Sequence, residues 1–218
     1  MSDIAIDHVF VLRKHGDPLP PAVREHRLTE QYRREHPGQG TANVCFAFDN
    51  FYLELLWIHD VTEAASTGIR RIGLLERSRW MTDGGCPFGI AWRGGDEGRT
   101  LAVPCWDFRP PYLPPDRAIR VAVDSDDTRQ PMLFESPGQS SPLEWPSERR
   151  GTLQHDSDLG SVTRITLTLA NRTLPAAALA QLAENSILTV IQGTRPALEL
   201  AVTRRSNDSS ERIRIEPS

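Results

Sequence analysis

No stretch of the 218-residue chain is apolar over the roughly 18 residues that a membrane-spanning helix needs, so no membrane partner is expected. The N-terminus lacks a basic segment followed by a continuous apolar run. That argues against a signal peptide and for a cytoplasmic protein. Cysteine is scarce: Cys45, Cys86 and Cys105 are odd in number and lack CxxC spacing. They read as reduced, small buried hydrophobes, not as a disulfide scaffold or a zinc knuckle. A GxSxG elbow and the HxxxH-type spacing of zincins are absent. The formal net charge is −4 with both signs interspersed, so no global basic field points to nucleic acid.

What is present is a series of short apolar strands, two of which carry an ionisable group. Residues 4–13, "IAIDHVFVLR", alternate so that Ile4, Ile6, His8, Phe10 and Leu12 share one face and Ala5, Asp7, Val9, Val11 and Arg13 the other. Residues 42–48 and 51–58 are two further strands around Asp49-Asn50, a two-residue loop suited to positive φ and a tight hairpin. In the second of these, Tyr52, Glu54, Leu56 and Ile58 share a face and Phe51, Leu53, Leu55 and Trp57 take the other. A buried charge is costly unless it is paired or binds a metal, so His8 and Glu54 each need an explanation.

Between these strands, residues 21–34 fit a short helix, or a short helix followed by a short strand, and "HPGQG" is a turn. Thr62 followed by Glu63 and Ala64 suggests a capped helical turn, with more helix over 69–80. "PFGIAWRG" reads as a strand. The proline-rich stretch 99–115 favours an extended edge or loop. "AIRVAVDS" and "PMLFES" are short strands, followed by a polar bridge. "VTRITLTL", "LPAAALAQLAEN", "SILTVIQG" and "ALELAVTRR" then form a strand, a helix and a hairpin around "GTRP". The chain from Ser206 on is polar and expected to fray. The sum is α+β with mixed or antiparallel sheets.

"IDHVFVLR" and "HPGQGTANVCFAFDNFYLELLWI" resemble the first module of glyoxalase-like domain proteins in the vicinal oxygen chelate superfamily, which includes glyoxalase, bleomycin resistance proteins and extradiol dioxygenases. The matching residues are Asp7–Val9, His36–Asn43 and Tyr52–Leu55. The resemblance implies paired βαβββ modules that form a curved mixed/antiparallel sheet around a cavity. The expected domain is 1–205, with a first module over about 4–60, a second module and an additional β-α-β-β unit over about 85–205, and a flexible tail at 206–218. In metal-dependent members a first-strand His and a last-strand Glu of a module point inward, and His8 and Glu54 match those positions. "PFGIAWR" offers no ligand. Glu135 is the nearest candidate for the final one, and His155 is a more distant candidate. Half-barrels of this kind often complete each other between chains, which is compatible with a homodimer.

A neutral imidazole with one or two carboxylates suits a divalent metal such as Zn, Fe, Mn, Ni or Co. Chelated by two adjacent substrate oxygens, that metal would serve a lyase, isomerase or dioxygenase. Glu54 is the expected proton-moving residue, and Asn43 and Tyr52 are expected to contact a small-molecule substrate. The competing reading is a metal-free, resistance-type member that binds a small apolar molecule, and a third is an interaction domain with a vestigial cavity. A plainer account of His8 is a core histidine bonded to backbone or a carboxylate. For Glu54 it is a pair with an Arg or with His8 itself, and for His36 and Asn43 it is loop-fixing and strand-capping roles.

Overall fold

A computed structural model describes residues 4–94, 101–138, 140–170, 173–207 and 209–218. The first three residues of the expected domain, the first two of the extended stretch 99–115 and residue 208 of the expected tail lie outside the described residues. The first half is β1 (Ile4–Leu12), α1 (Pro21–Glu25), β2 (Tyr32–His36), β3 (Thr41–Ala47) and β4 (Tyr52–Ile58). The helix-then-strand alternative over 21–34 is the one adopted. A connecting segment holds α2 (Val61–Ala64), α3 (Leu74–Ser78) and α4 (Trp80–Asp83). The cap of α2 is Asp60, whose carboxylate accepts from the Thr62 and Glu63 backbone N–H groups, and not Thr62 as expected. Then follow β5 (Phe88–Gly94), β6 (Cys105–Phe108), β7 (Ile119–Ala122) and β8 (Met132–Glu135).

These eight strands form one sheet in the order β2-β3-β4-β1-β5-β8-β7-β6. Strand β1 runs parallel to β4 and β5 parallel to β8, and the two halves join through the antiparallel pair β1–β5. Each half therefore repeats the order first-last-third-second outward from the seam, the paired-module arrangement that the sequence implied. Among the described residues no helix is long and apolar enough to cross a membrane.

The face assignment of β1 needs a correction. A β-bulge lies at Asp7: Ile6 pairs with Trp92 and His8 with Ala91, so two residues of β1 oppose one of β5. The extra residue shifts the alternation by one. Ile4 and Ile6 consequently pack in the same core as Val9 and Val11, while Phe10 and Leu12 belong to the other face with His8. Strand β4 alternates as expected, with Phe51, Leu53 and Leu55 in one core and Leu56 in the other.

The β3–β4 connection is a tight hairpin, with Phe48 N–H donating to Phe51 C=O at 2.7 Å. Asp49 and Asn50 do not use the positive φ that their chemistry would tolerate. They act as tertiary pins instead: Asn50 bonds the backbone N–H and C=O of Val162, and Asp49 accepts from His155.

After α5 (Ser147–Arg150) come β9 (Leu159–Ala170), α6 (Ala177–Glu184), β10 (Leu188–Gly193), β11 (Ala197–Arg204) and β12 (Ser210–Ile215). Their sheet has the order β10-β9-β11-β12. The expected β10–β11 hairpin does not form. Helix α6 carries β10 across to run parallel to β9, and β11 pairs antiparallel on β9's other side. The burial pattern supplies the reason: Leu198, Leu200 and Val202 are fully buried on the inner strand β11, whereas β10 is largely exposed at the edge. The expected tail is also corrected. Residues 210–215 pair with β11, and Ile213 and Ile215 are fully buried. One core cluster joins this sheet, α1 and α6 to the outer face of the eight-stranded sheet, through residues such as Phe46, Phe88, Trp92, Ile165 and Leu200. The inner face is left to line a cavity.

Candidate functional site

Cross-strand register places the inward residues in rows. One row runs Tyr32, Cys45, Glu54, Phe10, Gly89, Met132 across β2, β3, β4, β1, β5 and β8. The next runs Ala47, Tyr52, His8, Ala91, Phe134. His8 and Glu54 are thus diagonal neighbours on two adjacent parallel strands. Their Nε2–Oε2 separation is 3.5 Å. The two residues the sequence singled out do meet, inside a cavity of about 140 Å³.

Each of them is held from behind. His8 Nδ1 lies 2.9 Å from Asp7 Oδ2, which also accepts from Ser136 Oγ–H at 2.8 Å. A carboxylate only accepts hydrogen bonds, so Nδ1 carries the proton and Nε2 is the end that faces Glu54. The ring stacks on Tyr52 at 4.2 Å between centroids and meets the edge of Phe134 at 5.4 Å. Ala91, opposite His8, leaves room for that contact. Glu54 Oε1 accepts from Asn43 Nδ2, and the buried Asn43 side-chain oxygen has no partner among the described residues. Tyr52 in turn meets Trp145 edge-on at 5.6 Å, and the Arg149 guanidinium lies over the Trp145 ring at 3.7 Å. Segment 141–150 therefore braces the His8 ring through Tyr52.

The "HPGQG" turn forms the rim. Gly38 and Gly40 adopt φ of +78° and +72°, and both backbone N–H groups donate to Glu63 Oε2. A Cβ at Gly40 would lie 2.1 Å from the Asp60 carbonyl oxygen, so only glycine fits. His36 Nδ1 bonds Thr41 Oγ1 at 2.9 Å, the loop-fixing role expected of it, and its ring also lines the cavity beneath Tyr112 at 4.7 Å. Burial lowers the His36 pKa, with Glu54 pulling the other way, so the ring is neutral at pH 7. Burial likewise raises the phenols of Tyr32, Tyr52 and Tyr112 and the thiol of Cys45, so all four stay protonated as donors.

The second half presents a different wall: Phe108, Ile119, Met132 and Phe134, with Leu113 from the proline-rich stretch. Glu135, expected as a third ligand, is not there. Side chains alternate along β8, and Met132 and Phe134 take the inward positions. Glu135 points the other way and pairs with Arg120 at 2.8 Å. His155 is also remote from the cavity, bonded to Asp49 at 2.7 Å and to Arg205. A catalytic zinc site uses about three protein ligands. Among the described residues no group of three His, Cys, Asp or Glu side chains is placed to share an ion. The pair His8–Glu54 supplies two donors, and the rows opposite supply Ala91, Met132 and Phe134. The donor set does not fit a three-ligand metal centre.

Several cavity residues escaped the sequence reading: Tyr32, Arg34, Gln39 and Tyr112 line it, and Asp7 and Ser136 support it. Arg34 pairs in register with Asn43, so it shares the inward face. The ambiguity over 21–34 hid that register. Asp7, adjacent to His8 in "DHV", was legible as a charge on an apolar strand, but its orientation depends on the bulge.

Residues 6–103 match the model of the glyoxalase-like domain. No curated protein matches the chain. Among solved structures, a crystal structure of a hypothetical protein from Staphylococcus aureus aligns with a TM-score of 0.43 and 12% identity, covering 99% of this chain and 86% of that one.

Proposed function

With residues 6–103 forming a glyoxalase-like domain of the vicinal oxygen chelate superfamily, we propose that the chain binds a small amphipathic molecule in the inner cavity and moves a proton at it through Glu54, without a bound metal. The observation that carries this reading is the His8–Glu54 pair at 3.5 Å, set at the polar end of a cavity whose far wall is apolar. Glu54 is anchored by Asn43 through Oε1, which leaves Oε2 as the proton acceptor. His8, fixed by Asp7, presents Nε2 beside it and can hold or return that proton. The apolar wall excludes water and places the ligand body. A positioned acid–base group of this kind contributes about 10²–10⁴-fold to a rate.

A metal-dependent lyase, isomerase or dioxygenase is the second reading. The 3.5 Å separation favours it, since two ligands of one ion sit about 3–4.5 Å apart. The count of donors weighs against it.

One experiment separates the two. A panel of small carbonyl and hydroxy compounds with compact apolar bodies is incubated with the protein in D₂O and followed by proton NMR. Exchange of the proton next to the carbonyl, unaffected by chelator and lost in Glu54→Gln, is the expected result. Exchange that appears only after a divalent metal is added would overturn the metal-free reading. A panel with neither binding nor exchange would overturn both.

A further inference from the structure

We infer that the ligand of this cavity is a carboxylate, held by Arg34, with an apolar body about the size of one benzene ring. The inference rests on the small-molecule reading of the cavity given above and adds the chemical class.

Three observations carry it. First, charge: burial keeps His36 neutral, and among the described residues lining the cavity Arg34 is the one Lys or Arg. Among the described residues it has no carboxylate partner, and its one ring contact is Tyr112, 5.4 Å from the guanidinium carbon. Its neighbour on β2, Arg33, is by contrast paired with Glu30, and Arg120 on the other half is paired with Glu135. An arginine fork and a carboxylate match as bidentate partners. The Tyr112 hydroxyl, kept protonated by burial, is a second donor on the same rim.

Second, position: β3 alone separates β2 from β4 and Arg34 sits one row on from Glu54, so their backbones lie two strand spacings and two residues apart, about 12 Å. A carboxylate beside Glu54 would meet like charge. At the Arg34 rim it is neutralised, and the rest of the ligand then reaches inward toward Glu54 and His8.

Third, size and polarity: the remaining wall is Phe10, Leu56, Leu74, Phe108, Met132 and Phe134. An apolar cavity of about 150 Å³ accommodates benzene, and this one measures about 140 Å³. A single ring or a branched chain of similar bulk fits, and a long acyl chain does not.

The test uses matched pairs that differ only in charge: benzoate with benzamide, and cyclohexanecarboxylate with cyclohexanecarboxamide. Binding to the full chain is measured by titration calorimetry and by NMR shifts at low and moderate salt. The carboxylates should bind at least about tenfold tighter than their amides, and added salt should narrow the gap. Arg34→Met should remove the preference while leaving amide affinity unchanged, and Arg34→Lys should keep part of it. Arg34 is exposed, so these variants keep the fold, which their melting temperatures verify. Equal binding of acids and amides, or a preference that survives Arg34→Met, overturns the carboxylate assignment while the cavity reading stands. If no compact acid or amide binds, the cavity reading falls with it.

Discussion

The two halves of the eight-stranded sheet share one strand order and differ in what they show the cavity. Strands β1–β4 contribute His8, Glu54, Asn43, Tyr52, Tyr32 and Arg34, whereas β5–β8 contribute Ala91, Met132, Phe134 and Ile119. The halves meet at the β1–β5 seam, so the polar strand residues all lie on one side of it, together with Phe10 and Leu56, and the other side is apolar. The scaffold is close to symmetric and the chemistry is not. On the proposed reading, a ligand in this cavity would be oriented by polarity, its polar end toward the first half and its hydrocarbon toward the second.

The halves are also held differently. The first is supported by side chains that bond cavity groups directly, Asp7 to His8 and Asn43 to Glu54. The second is supported from outside by Arg77, which is fully buried. Its guanidinium donates to the backbone carbonyls of Ile72, Cys86, Ser125, Thr128 and Gln130. Burial without a carboxylate in contact lowers its pKa to about 10. It ties α3 to the segment that leads into β8.

Arg77→Met is therefore expected to have the largest effect, a loss above about 3 kcal/mol in urea unfolding, since several buried carbonyls lose their donor at about 1–3 kcal/mol each. A loss below about 1 kcal/mol would mean that the carbonyl cage does not hold the apolar wall in place. Gly89→Ala comes next. A Cβ there would lie 2.0 Å from the Phe10 ring, so that ring must move into the cavity, at about 1–3 kcal/mol. The measurement is thermal unfolding, together with loss of binding by the probes above. Unchanged binding would show that the seam does not set the cavity's shape.

A matched pair tests the polarity contrast itself. Asn43→Leu leaves Glu54 Oε1 without its donor and should cost about 1–3 kcal/mol. Met132→Leu on the opposite wall conserves volume and should cost less than about 1.5 kcal/mol. Equal costs in chemical denaturation would erase the distinction between the walls. The smallest effect is in pH. The His36 pKa lies below its ordinary 6.5 in the folded chain, so the unfolded chain takes up the proton first. Stability is full above about pH 6.5 and declines as pH falls from there toward the folded value. His36→Gln should flatten that limb of the melting-temperature profile, and an unchanged slope would place the acid sensitivity elsewhere.

How much of this was readable from the residues follows from how local each feature is. Strand β4 was legible because its alternation is unbroken and both faces are apolar, so Glu54 stood out. The meeting of His8 with Glu54 came from the resemblance, since no spacing rule connects residues 46 positions apart. The faces of β1 were misassigned before Asp7 because a bulge is a property of two strands, and β5 gives no sign of it. Glu135 was chosen for its carboxylate, whereas its parity with Met132 and Phe134 decides where it points. Strand β12 was missed because its polar residues outnumber Ile213 and Ile215, though "SERIRI" alternates. Strand β11 was paired with the wrong neighbour because a short connection suggested a hairpin, and its apolar face won it the inner place.

The bulge at Asp7 has one more consequence. The chain's reading frame in space changes there by half a period, so the N-terminal end of β1 and its remainder are in opposite phase. Deleting that single residue would restore one continuous phase along β1. With Ile4 and Ile6 kept in their core, the histidine would still face the cavity and Val9 the core, but the histidine would lose the carboxylate that holds it. Accommodated as a bulge, the extra residue leaves Ile4 and Ile6 in their core and the imidazole in the cavity, and Asp7 itself is what holds that imidazole.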